Sequence, residues 1–67
     1  MKLHINGQTV DVPDSVTTVT ELLEHFELTG KMLVVELNQS ILQKEDHAQA
    51  ALAEGYKIEI VHFVGGG

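Results

Sequence analysis

The residues best placed to do chemistry are the last three, Gly65-Gly66-Gly67, which follow the apolar run "IEIVHFV". A chain ending in glycine presents a carboxylate on bare backbone. Its reference pKa of about 3.3–3.7 leaves it ionised at neutral pH, and an ionised carboxylate does not transfer its acyl group. It becomes reactive once ATP converts one oxygen into an adenylate leaving group, after which sulfur, a thiol or an amine can take the carbonyl. Four extended residues reach about 13 Å, and glycine lets the backbone thread a narrow channel without side-chain clash. The expectation is a reactive carbon at Gly67, with Gly65 and Gly66 as threading residues, used inside another protein's active site.

The other chemistry-bearing residues are less ordered in the sequence. His4, His25, His47 and His62 show no close metal-ligand spacing, so no metal site is expected. Ser15 and Ser40 lack the glycine-flanked turn of a serine nucleophile. Glu45 and Asp46 are neighbours in sequence and read as a solvated loop. The chain has no cysteine, so it is not its own thiol catalyst and has no disulfide. No catalytic residue of its own and no bound cofactor are expected.

The elements that must position the tail belong to one small domain. The chain has 67 residues, of which 43% are hydrophobic, enough for a single core. A net charge of −6, with ten acids against four lysines, argues against nucleic acid and anionic membrane and suits a partner with a basic surface. No signal-peptide pattern and no apolar run of about 20 residues are visible, so the expected compartment is the cytoplasm.

Leu3 and Ile5, then Val10 and Val12, alternate with polar residues around Asn6-Gly7, which reads as a type I′ hairpin. Pro13 ends the second strand. Thr18 and Glu21 form a capping-box pattern. Val19, Leu22, Leu23 and Phe26 then line one face of a helix of roughly three turns, with Gly30 as its stop. "MLVVELN" reads as an interior strand, Asn38-Gln39 as a turn and "SILQ" as a short edge strand. "KEDHAQAAL" reads as an irregular connection holding a helical turn, and "YKIEIVHFV" as the last strand. With the first and last strands side by side, this order is that of an α+β domain of the β-grasp, or ubiquitin-like, class. It has a mixed sheet of four to five strands and one main helix across one face. Residues 1–63 form the domain and 64–67 a flexible tail.

Parity assigns the faces. If Ile58 and Ile60 pack under the helix, Val61 and Phe63 point away from it. Leu33, Val35 and Leu37 are then inward, and Val34 is outward. Val34, Val61, Phe63 and the following Val64 are the expected partner-docking surface.

"NG" in the first hairpin, "TVTELL", "VVELN" and "IEIVHFVGGG" together resemble the bacterial sulfur carrier proteins of thiamine biosynthesis, the ThiS family, along the whole chain. The resemblance implies a cycle. An E1-like adenylating enzyme uses ATP and Mg²⁺ to adenylate Gly67. Sulfur from a cysteine desulfurase replaces AMP to leave a thiocarboxylate, and thiazole synthase takes that sulfur. A carrier of the molybdopterin-synthase type shares the Gly-Gly ending. A ubiquitin-like interaction module with an idle tail would use the sheet patch alone.

Overall fold

Asn6 and Gly7 both take positive φ, 51° and 82°, which is the backbone a type I′ turn requires. The turn joins β1 (Lys2–Ile5) to β2 (Gln8–Asp11) with Ile5 opposite Gln8 and Lys2 opposite Asp11. The computed structural model describes residues 1–63. Val64 and the glycine tail lie outside the described residues.

Three further strands complete the sheet. They are β3 (Leu33–Leu37), β4 (Ser40–Leu42) and β5 (Lys57–His62), in the spatial order β2-β1-β5-β3-β4. β5 runs parallel to β1 and antiparallel to β3. The central place of the last strand, beside the first, is as the hydrophobic pattern implies. A mixed five-stranded sheet with one helix across it is the architecture expected of the β-grasp class.

One helix, α1 (Val19–His25), covers one face of the sheet. The Thr18 hydroxyl accepts from the Glu21 N–H at 3.2 Å, and Glu21 Oε1 accepts from the Thr18 N–H at 3.1 Å, so the capping box is complete. Val19, Leu22 and Leu23 pack with Leu3, Val12, Val16, Val35 and Ile58 into the core. This is the i, i+3, i+4 stripe of a helix set on the inward positions of alternating strands.

The helix is shorter than the sequence implies. Phe26 is its C-cap, and Glu27, with φ 58°, is the left-handed residue that ends it, in place of Gly30. The Glu27 N–H donates to the Glu24 carbonyl at 3.0 Å and the Leu28 N–H to the Leu23 carbonyl at 2.8 Å, which is a Schellman ending. The reversal brings Leu28 against the core. Phe26 is correspondingly displaced: it is 38% exposed and leans edge-on against the His25 ring. It is not the fourth core residue of the stripe. Gly30, with φ 82°, serves the next turn instead.

The connection between β4 and β5 holds a single turn of 3₁₀ helix, Lys44–Asp46. It is tied to the start of α1: the Val19 N–H donates to the Ala50 carbonyl, the Thr20 N–H to that of His47, and the Leu52 N–H to that of Thr17. His47 is buried by this arrangement, which the sequence pattern alone does not indicate.

Candidate functional docking surface

Strand register builds the exposed face of the sheet. Val34 stands directly opposite Val61 across β3 and β5, and the Phe63 N–H donates to the Met32 carbonyl at 2.9 Å, extending that ladder by one rung. Val61 and Phe63 are about half exposed, at 49% and 50%, and Met32 is 75% exposed. Val34 is half-buried. The expected patch residues Val34, Val61 and Phe63 therefore do share one surface, turned away from the helix. The fourth, Val64, lies outside the described residues, as do Gly65, Gly66 and Gly67.

Two apolar residues belong to this surface that parity within β5 alone does not reveal. Met32 precedes β3 and pairs with Phe63. Ile41, 65% exposed, stands opposite Glu36 on the edge strand β4. Extending the even-numbered parity of Val34 back by two residues would have found Met32. Ile41 depends on the β3–β4 register, which requires the turn at Asn38-Gln39 to be placed.

The electrostatics of the same face change along the strands. Glu36 and Glu59 are directly opposite each other in the β3–β5 register, one rung of outward residues before Val34 and Val61. Like charges in this position weaken a sheet. The pair puts negative charge beside the apolar patch, an arrangement suited to a partner with a cationic group next to an apolar surface. Farther across, Thr9 Oγ1 lies 3.2 Å from His4 Nδ1. His4 and Lys57 are neighbours in the β1–β5 register. Among the described residues, no three His, Asp or Glu side chains come together to hold a metal.

A concavity of about 700 Å³ opens beside this face, between the end of α1 and the Gln43–His47 segment. It is lined by Leu23, Leu28 and Leu42, with Met32 and Ile41 at the side it shares with the patch. No helix among the described residues is long and apolar enough to cross a membrane.

β5 is held on both sides almost to its end. On the β3 side the last bond among the described residues is that of Phe63. On the β1 side it comes from Asn6, whose Oδ1 accepts from the Ile60 N–H at 2.8 Å and whose Nδ2 donates to the Ile60 carbonyl at 3.2 Å. The exposed residues Val61 and Phe63 thus lie at the end of the central strand, and the sequence continues from there into the glycines.

Comparison with known proteins agrees with this arrangement. The chain is 40% identical over 65 residues to the sulfur carrier protein ThiS of Bacillus subtilis (strain 168), covering 97% of this chain and 98% of that protein. It is 42% identical over 67 residues to a thiazole synthase of Paramagnetospirillum magneticum, matching all of this chain but only 20% of that much longer protein. The crystal structure of the thiamine biosynthesis protein ThiS from Geobacter metallireducens superposes with a TM-score of 0.83 at 32% identity, over the full length of both chains. The ThiS family model matches residues 3–67, so the chain belongs to the ThiS family.

Proposed function

We propose that this chain is a sulfur carrier of thiamine biosynthesis, a recyclable protein cosubstrate that works in the cytoplasm and has no active site of its own. The observation that carries the reading is the end-to-end match with a sulfur carrier protein of nearly equal length, on a domain whose central strand leads into three glycines. The match to part of a thiazole synthase supports the thiamine branch over a molybdopterin-type carrier.

In the cycle, the Gly67 carboxylate attacks the α-phosphate of ATP in an E1-like adenylating enzyme, with Mg²⁺ bound there, and pyrophosphate leaves. A sulfur nucleophile supplied through a cysteine desulfurase attacks the acyl carbon, and AMP leaves. That nucleophile is a cysteine persulfide, so the product is an acyl disulfide. A second thiol then attacks the donor-side sulfur. The S–S bond to the acyl sulfur breaks, a donor disulfide forms, and Gly67 is left as a thiocarboxylate. Thiazole synthase accepts the sulfur, and the carboxylate is restored. The domain contributes docking through Val34, Val61, Phe63 and Val64, joined by Met32. Gly65 and Gly66 provide a backbone slim enough to pass a channel.

Mass spectrometry tests this directly. After incubation with the adenylating enzyme, ATP and a sulfur source, the chain gains the mass difference between sulfur and oxygen, and fragmentation places it on Gly67. Gly66→Val blocks loading by steric hindrance. One residue added after Gly67 also abolishes it, because the carboxylate moves by about 3.5 Å. An extended chain that loads as well as the original, or added mass elsewhere, refutes the mechanism.

A further inference from the structure

The chain carries ten acidic residues and four lysines, and the groove beside the sheet face reverses that balance. Lys31 and Lys44 are part of its lining, and none of the ten acids is. Acids are abundant nearby: Glu27 precedes Leu28, and Glu45 and Asp46 separate Lys44 from His47. Both lysines are exposed, and among the described residues neither makes a salt bridge. His47, also in the wall, is 8% exposed, and its Nε2 has no hydrogen-bond partner among the described residues. Buried polar groups are otherwise nearly always paired. The groove thus joins an apolar wall to two cations and an unmet polar group, and supplies no anion.

The groove is also continuous with the docking face. Met32, Val34 and Ile41 line it and belong to the patch as well. Lys31 adjoins Met32 in the chain, so the approach to β3 and the strand itself run from a cation at Lys31, through Met32 and Val34, to an acid at Glu36. An apolar surface with opposite charges at its two ends fixes the orientation of what sits on it, because the reversed pose brings like charges together.

We propose that this groove is a second part of the docking face, and that it receives a segment of the docked partner protein in which an apolar side chain adjoins an aspartate or glutamate. The apolar side chain fills the space lined by Leu23, Leu28 and Leu42, and the carboxylate pairs with Lys31 and Lys44. This rests on the docking reading of the patch given above.

The test compares the wild type with Lys31→Glu/Lys44→Glu and with Lys2→Glu/Lys57→Glu. The second pair has the same net charge but alters lysines outside the groove. All four side chains are exposed, so the fold is retained. Calorimetry gives Kd for the adenylating enzyme and for thiazole synthase, and nuclear magnetic resonance follows the His47 ring during each titration. The groove pair raises Kd about tenfold for at least one partner at low salt. The difference shrinks at about 1 M salt, where exposed charges are screened. The outside pair stays within about twofold of wild type, and the His47 ring resonances shift as the wild type binds. Affinities of the groove pair within about twofold of wild type for both partners overturn the proposal. So does an equal loss in the outside pair, which is an effect of net charge alone. So does a His47 ring that ignores a partner whose Kd the groove pair raises. Octanoate alone is the second probe: if it shifts the ring while both partner affinities are unchanged, the groove takes a small anionic amphiphile and the partner assignment is overturned. A wild type that binds neither partner, or a Phe63→Asp variant that binds both like wild type, overturns the patch reading itself, and this inference with it.

Discussion

Met32 and Phe63 are joined across the end of the β3–β5 ladder, the Phe63 N–H donating to the Met32 carbonyl at 2.9 Å. The bond sets two of the most exposed large apolar side chains on the same rung, immediately before the tail. If this rung is the centre of the docking surface, a charge at either position is buried against the partner without a counter-charge. Phe63→Asp and Met32→Asp are each expected to raise Kd for the adenylating enzyme and for thiazole synthase by roughly tenfold or more, about 1.4 kcal/mol. Circular dichroism should be unchanged. Calorimetric titration measures this, and wild-type affinity in both variants removes the docking assignment.

Leu22 and Phe26, one helical turn apart, should differ sharply. Leu22 is fully buried, so Leu22→Ala removes core contacts and leaves a cavity, costing about 2–5 kcal/mol. Phe26 keeps more than a third of its surface in water. Phe26→Ala should cost about half as much or less. Urea unfolding of both variants decides it, and equal losses would mean that the ring is part of the core after all.

Glu27 occupies the left-handed position at the helix end that glycine most often fills. A side chain there costs roughly 1–2 kcal/mol, partly offset by the greater freedom of glycine in the unfolded chain. Glu27→Gly is expected to stabilise the domain by roughly 0.5–1 kcal/mol. Gly30→Ala, at φ 82°, should destabilise it. A lower urea midpoint for Glu27→Gly would contradict the Schellman reading.

Glu21 links helix capping to pH. The Thr17 hydroxyl and backbone N–H donate to its carboxylate, with further bonds from Thr18, and together they hold its pKa below the usual glutamate value of 4.5 against a smaller opposing effect of desolvation. A folded-state pKa below the unfolded one means that protons bind the unfolded chain more readily. The contribution is therefore complete above about pH 4.5 and is lost as pH falls through the lower folded value. Urea midpoints measured from pH 6 downward should show Glu21→Gln with a shallower acid decline than wild type. Parallel curves would exclude the capping carboxylate as a source of acid sensitivity.

Much of this fold is legible because its signals are local. Asn6-Gly7 specifies its turn through backbone sterics, Thr18 and Glu21 cap the helix within three residues, and alternation in Lys57–His62 separates Ile58 from Val61. The helix end is less legible: Gly30 is the stronger stop signal, but the close return of Leu28 to the core outweighs the strain at Glu27. Tertiary register decides the rest. The exposure of Ile41, the burial of His47 and the bonding of Asn6 to Ile60 each depend on segments distant in sequence, and no local pattern marks them.

The central place of β5 also bears on the synthesis of the chain. Without Lys57–His62 the sheet separates into two hairpins, β1–β2 and β3–β4, with no strand in common, and isolated hairpins are marginal in water. The core also loses Ile58. A product cut short before β5 would thus remain unfolded and be open to proteolysis. The strand that carries the tail is required for the domain to fold at all, so folding itself screens out carriers that were never finished.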